Sequence, residues 1–127
     1  MTIESRIQAL VQLGSLLNKH AKSRAKVDRV LELAINRASV YNGWFTTKNI
    51  RKALSSIVEM LSEDQLKTWS SAYELEGYKR VAIIMAGNIP LVGFHDLLSV
   101  LISGHTALVK MSSDDNQLVP IIIEALK

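Results

Sequence analysis

The spacing of apolar residues divides the chain into two regions with different patterns. Up to about residue 75, apolar residues recur with the period of a helix, which predicts helices that each bury one face. After Gly77 the apolar residues become contiguous in Val81–Ala86, as is typical of a strand that is buried on both faces. We therefore divide the chain into a helical N-terminal segment, residues 1–76, and a second segment, residues 77–127.

Four helices are predicted in the first segment. Thr2 is the predicted N-cap of the first helix and Thr46 that of the third, because each hydroxyl precedes a run with helical spacing. Ser62 and Gln65 have the spacing of a capping box, which predicts a short fourth helix that begins there.

The second helix is predicted from about Lys26 to Tyr41. Asn42-Gly43 follows, and both residue types tolerate the left-handed conformation that ends many helices. Trp44-Phe45 comes next and is expected to seal the end of this helix. The predicted apolar stripe of the helix consists of Val27, Val30, Leu31, Ala34 and Ala38.

The second segment predicts one β-α-β unit and a final helix. In order, these elements are a strand at 81–86, a helix at 91–103 that ends at Gly104, a strand at 106–109, and a helix that has Pro120 in its first turn and ends at Lys127. Two parallel strands leave open edges and need helices on both faces. We therefore expect a mostly helical α/β fold that is the N-terminal piece of a longer protein.

Composition narrows the class of protein. The 127 residues suit one small domain, and 48% apolar residues suit an ordinary soluble globular chain. The absence of cysteine excludes cysteine-ligated metals and a cysteine nucleophile within this chain, and it fits a reducing, cytoplasmic location. No apolar run is long enough for a membrane span, and the N-terminus does not resemble a signal peptide.

The net charge of +3 is concentrated in the first segment. The densest basic stretch contains Lys19, His20, Lys22, Arg24, Lys26 and Arg29. Such a stretch is either a solvated connection between helices or a surface that attracts nucleic acid or an acidic partner. The absence of interleaved aromatic residues disfavours nucleic acid, because stacking on bases requires them.

A resemblance to a known family covers Val81 to Val119. The matching pieces are Asn88-Ile89-Pro90 after the first strand, Gly104-His105 after the helix, Lys110 at the end of the second strand, and Ser112-Ser113 in the polar turn. In this order they resemble the aldehyde dehydrogenase superfamily, and more closely its LuxC-type acyl-CoA reductases. The resemblance implies that residues 77–127 begin a Rossmann-like, NADP-binding domain.

The resemblance also implies a reaction and a role for each site residue. In the family, a fatty acyl thioester is reduced to an aldehyde, and the residue matching Asn88 donates to the carbonyl oxygen under attack. Lys110 is expected to contact the adenosine ribose of the cofactor. Ser113 stands where many NAD-using relatives have Glu, which favours NADP, and Ser112 is a second candidate donor.

Each of these residues also has a purely structural interpretation. Asn88 suits a turn, Lys110 suits an exposed strand end, and the two serines, Ser112 and Ser113, suit a helix cap. The family reaction uses a cysteine nucleophile. This chain contains no cysteine, so the chain alone is not expected to catalyse the reaction.

No metal site is expected, since His95 and His105 have no third ligand at a suitable spacing. The open strand edges predict that the chain self-associates. The alternative function is a non-catalytic helical interaction module with a basic surface.

Overall fold

The computed structural model describes residues 1–22, 29–75 and 77–127. Within these ranges the chain forms six helices and a two-stranded parallel sheet. The elements are α1 (Ile3–Ala21), α2 (Arg29–Tyr41), α3 (Thr47–Met60), α4 (Glu63–Ser71), β1 (Arg80–Ile84), α5 (Phe94–Ile102), β2 (Thr106–Lys110) and α6 (Leu118–Glu124). The predicted mostly helical α/β class and the order of its elements are confirmed.

Hydroxyl caps begin two of the helices as predicted. The Thr2 side chain accepts a hydrogen bond from the Ser5 backbone N–H at 3.2 Å, and Thr46 accepts one from Asn49 at the same distance. Ser62 is the N-cap of α4, but its side chain makes no capping hydrogen bond. The predicted capping box is therefore wrong, although the start of the helix is right.

The end of α2 differs in mechanism from the prediction. The helix stops at Tyr41 without a left-handed residue at Gly43; instead the Asn42 side chain accepts from the Trp44 backbone N–H at 3.1 Å. Phe45 is fully buried and seals this end, whereas the Trp44 side chain is 77% exposed and does not.

The core of the helical segment lies between α1, α3 and α4, with α2 packed on α3 and α6 on α2. Leu17, Leu54 and Leu66 are fully buried there. The buried face of α2 is Leu31, Ile35 and Ala38, and Ile35 was not in the predicted stripe. Of the residues in that stripe, Val30 is exposed and Val27 lies outside the described residues, as does the predicted start at Lys26.

The two strands pair in parallel from Arg80 with Thr106 to Ile84 with Lys110, and α5 is the crossover between them. α5 contacts both strands and covers the face that holds Ile83. On the other face Ile84 is 80% exposed, so the prediction of burial on both faces is wrong. The reason is that no layer among the described residues covers this second face.

The observed bounds of α5 and α6 differ from the predicted ones by a few residues. α5 begins at Phe94, because residues 91–93 form a turn in which Leu91 has a φ of 60°. It ends before Gly104, which has a φ of 81° as a helix-ending glycine often does. α6 ends at Glu124 rather than at Lys127.

Of the helices formed by residues 1–22, 29–75 and 77–127, none combines the length and the apolar character needed to cross a membrane.

Candidate functional site at the carboxyl ends of the strands

The parallel pairing brings two polar turns to the same edge of the sheet. The turn that contains Asn88 follows β1, and the turn that contains Ser112 and Ser113 follows β2. The Met85 backbone N–H donates to the Lys110 carbonyl oxygen at 2.9 Å, so the strands stay paired up to the point where the turns begin. Ligands of open α/β sheets bind at this edge, which makes it the candidate site.

Gly87 brings the two turns into contact. A Cβ at this position would overlap the Ser112 hydroxyl and lie 2.5 Å from Ser112 Cβ. Any residue with a side chain would therefore push the turns apart, and glycine is required here because of the close approach rather than because of its backbone angles.

Asn88 is exposed and lines a groove of about 490 Å³ between α3 and the turn after β1. The groove wall is mostly apolar, with Trp44, Ile57, Met60, Ile89 and Pro90 among its residues. Lys52 brings a cation to the same groove. An exposed amide at the end of an apolar groove can donate a hydrogen bond to a polar group whose apolar remainder lies along the wall.

The predicted cofactor residues are not equally accessible. Lys110 and Ser113 are exposed. Ser112 is half-buried, and its hydroxyl oxygen accepts from the Asp114 backbone N–H at 3.2 Å. Accepting this bond leaves the Ser112 O–H able to donate, but its half-buried position makes it harder for a ligand to reach than Lys110 and Ser113.

Asp115 is a residue of this site that sequence reasoning missed. It is 3% exposed, and its Oδ2 accepts from the Leu91 backbone N–H at 2.8 Å, whereas Oδ1 has no hydrogen-bond partner among the described residues. Burial raises the pKa of Asp115, and the backbone N–H groups of Leu91 and Leu118 partly oppose that shift. The preceding residue, Asp114, is exposed. Two adjacent aspartates look alike in the sequence, so nothing in it indicated that Asp115 would be the buried one.

A second polar cluster lies in the helical segment. The Nδ1 atom of His20 lies 2.8 Å from Glu32 Oε1, and Arg51 Nη2 lies 3.0 Å from Glu32 Oε2. Arg51 also donates to the His20 carbonyl oxygen. Hydrogen bonds from Arg51 and then His20 lower the pKa of Glu32 against the opposing effect of burial.

This cluster changes the picture of the basic stretch. The His20 side chain is fully buried, so it belongs to the interior and not to a basic surface. Arg24 and Lys26 lie outside the described residues. Lys19, Lys22 and Arg29 are exposed, so they are the surface cations of this stretch among the described residues.

The two histidines considered as a metal pair lie at opposite ends of α5. His95 lies in its first turn and stacks on Trp69 with ring centroids 6.0 Å apart, and His105 follows its C-terminus. Among the described residues, no three His, Asp or Glu side chains are grouped so that they could hold a metal ion.

Comparisons of the chain with protein-family models, with curated proteins and with solved structures gave no match.

Proposed function

We propose that this chain is the N-terminal part of an NADP-dependent acyl-CoA reductase that converts a fatty acyl thioester to an aldehyde. The observation that carries the proposal is the meeting of the Asn88 turn with the turn after Lys110 at one edge of a parallel sheet. The order of these residues along the chain is the one that resembles the LuxC-type family. The proposal includes a cytoplasmic location, because a chain without cysteine suits a reducing compartment.

Asn88 would act on the acyl group. Its exposed amide would donate to the thioester carbonyl oxygen, where negative charge develops as a nucleophile attacks the carbonyl carbon. The apolar wall of the adjoining groove suits the hydrocarbon part of a fatty acyl substrate. The nucleophile itself would be a cysteine from outside these residues, since they contain none.

Lys110 and Ser113 fit an anionic dinucleotide. Both are exposed at the carboxyl end of β2, and they supply a cation and a hydroxyl donor for the ribose and its 2′-phosphate. Ser112 remains a weaker candidate, because it is half-buried whereas Ser113 is exposed. The cofactor, when bound, would supply the hydride that reduces the acyl group.

Cofactor binding tests one half of the proposal. NADPH and NADH are titrated into the chain, and NADPH is expected to bind more tightly. Lys110→Ala should weaken binding, whereas Lys79→Ala, which removes an exposed lysine just before β1 at the opposite edge, should not. Ser113→Glu should reverse the preference towards NADH, and unchanged binding in both Lys110→Ala and Ser113→Glu would contradict the assignment.

Turnover tests the other half, in the enzyme that includes the cysteine. Asn88→Ala is expected to lower kcat by about 10²–10³ with little effect on the KM for the cofactor. Lys110→Ala should instead raise that KM, because a ribose contact is equal in the ground and transition states. If Asn88→Ala leaves kcat intact, Asn88 is a turn residue and the catalytic assignment is wrong.

We also propose that the chain self-associates through the sheet. Ile84 and Leu108 are exposed on the uncovered face, and each strand has an unpaired edge among the described residues. Light scattering should show a species larger than a monomer at high concentration. Ile84→Lys combined with Leu108→Lys should shift it to monomer, and a monodisperse monomer before substitution would rule the proposal out.

A further inference from the structure

A buried hydrogen bond joins the two turns of the candidate site. It runs from the Leu91 backbone N–H to Asp115 Oδ2 over 2.8 Å, and it connects residues that are distant in sequence. Leu91 lies in the turn segment of residues 87–93 that contains Asn88, while the Asp115 backbone N–H donates to the Ser112 carbonyl oxygen at 3.3 Å and closes the turn that contains Ser112 and Ser113. The bond therefore spans the site from one turn to the other.

The backbone at Leu91 needs support from its surroundings. Its φ of 60° is in the left-handed region, which disfavours residues with a Cβ, and among non-glycine residues described here it alone has a positive φ. Its side chain is 3% exposed, so it is fixed in the core next to Pro90. A strained conformation persists only where neighbouring groups hold it.

Asp115 supports the Leu91 backbone through one atom, Oδ2, which accepts a hydrogen bond from the Leu91 N–H. Its carboxylate is buried and faces an N–H group instead of a cation, so it contributes less to stability than a paired carboxylate would. The same loop is tied to the helical segment, because the Asn42 side chain donates to the Asp114 carbonyl oxygen at 3.2 Å. The acceptor that Leu91 uses is thus itself held in place.

We propose that Asp115 is a positioning residue that fixes the turn of residues 87–91 and thereby the direction of the Asn88 amide. Its effect on turnover rests on the proposed function, whereas its effect on the turn does not. Asp115 touches neither substrate nor cofactor in this role. It acts through the Leu91 N–H and the rigid Ile89-Pro90 link that joins Leu91 to Asn88.

The first test is spectroscopic and uses this chain. Asp115→Ala removes the acceptor, so the Leu91 amide proton should shift upfield and exchange with solvent at least about 10-fold faster, and the Asn88 side-chain amide should shift. Asp115→Asn keeps an oxygen acceptor, so both chemical shifts and the Leu91 exchange rate should return to those of the unsubstituted chain. Asp114→Ala, at the exposed neighbouring carboxylate, should leave them unchanged.

Two results would overturn the positioning role. One is Leu91 exchange in Asp115→Ala that stays within about 2-fold of the unsubstituted chain. The other applies if Asp115→Ala does not fold. In that case we measure, in the unsubstituted chain, the NMR coupling across the hydrogen bond between the Leu91 amide nitrogen and the Asp115 carboxyl carbon. A measurable coupling supports the positioning role, and the absence of the coupling overturns it.

The second test is kinetic and separates this inference from the proposed function. In the enzyme with its cysteine, Asp115→Ala should lower kcat at least about 10-fold with the cofactor KM unchanged, and Asp115→Asn should recover it. If the spectra of Asp115→Ala move but Asn88→Ala leaves kcat intact, positioning stands and the proposed function fails. If Asn88→Ala lowers kcat but Asp115→Ala moves neither the spectra nor kcat, positioning fails alone.

Discussion

Glu32 and Asp115 are both largely shielded carboxylates that join elements distant in sequence, yet their surroundings differ. Glu32, in the helical segment, contacts the guanidinium of Arg51 and the ring of His20, and its pKa is lowered. Asp115, in the β-α-β segment, contacts backbone N–H groups, and burial raises its pKa. The helical segment pairs its internal charges and seals its core. The strand segment instead keeps a buried carboxylate that faces N–H groups and, among the described residues, a sheet face that no layer covers.

Truncation of core residues should show the largest difference between the two segments. Leu54→Ala in α3 removes a fully buried side chain and should cost about 2–5 kcal/mol of unfolding free energy, because it leaves a cavity. Ile84→Ala in β1 should cost less than about 1 kcal/mol, since that side chain is 80% exposed. Denaturant unfolding measures both. Ile83→Ala is the matched control within β1, and a loss at Ile84 as large as at Ile83 would mean that the exposed face is covered in solution.

Removal of Arg51 should have the next largest effect. Arg51→Ala leaves the Glu32 carboxylate and the His20 carbonyl oxygen without their shared donor, and we expect a loss of about 1–3 kcal/mol. The exposed neighbour Lys52 is the control, and Lys52→Ala should lie within about 0.5 kcal/mol of the unsubstituted chain. Equal effects of the two substitutions would show that the paired cluster does not stabilise the helical segment.

A pair of glycines tests how tightly each segment packs its loops. Gly87→Ala would force Ser112 away and should cost about 1–3 kcal/mol. Gly43→Ala, in the loop between α2 and α3, meets nothing within 4 Å and has no positive φ, so it should be neutral or slightly stabilising. Thermal unfolding of both variants decides the comparison, which fails if Gly87→Ala is neutral.

The pH dependence of stability should be the smallest effect, and opposite in sign for the two carboxylates. The Glu32 pKa is lowered from 4.5, so its stabilisation is present above that value and is lost as the pH falls through the folded pKa. The Asp115 pKa is raised from 3.8, so its contribution is present below that value and is lost as the pH rises through the folded pKa.

The variants Glu32→Gln and Asp115→Asn isolate these two contributions. The deficit of Glu32→Gln relative to the unsubstituted chain should shrink on acidification. Asp115→Asn should become more stable relative to that chain as the pH rises from about 4. Unfolding titrations between pH 2 and 7 measure both trends, and trends of the same sign would contradict the comparison.

The order and type of the elements could be predicted because periodicity encodes which faces are buried. The approach of the Asn88 turn to the turn after Lys110 was not predicted; it follows from the parallel pairing, which brings the carboxyl ends of both strands to one edge of the sheet. One-sided burial could not be predicted, since the apolar run Val81–Ala86 has the same pattern whether one face or both are covered. The contacts of His20 and Asp115 were missed because each depends on residues from elements distant in sequence. The catalytic and cofactor roles stay predictions.

The parallel pairing of β1 with β2 has a consequence for the order of folding. Arg80 and Thr106 can meet only after the intervening chain, including α5, has folded back as a crossover, and closing such a loop costs chain entropy. Helical turns in α1–α4 form from local contacts and need no such closure. We therefore expect the strands to pair late, after the main folding barrier. Ile83→Ala should then speed unfolding more than it slows folding, whereas Leu54→Ala should also slow folding.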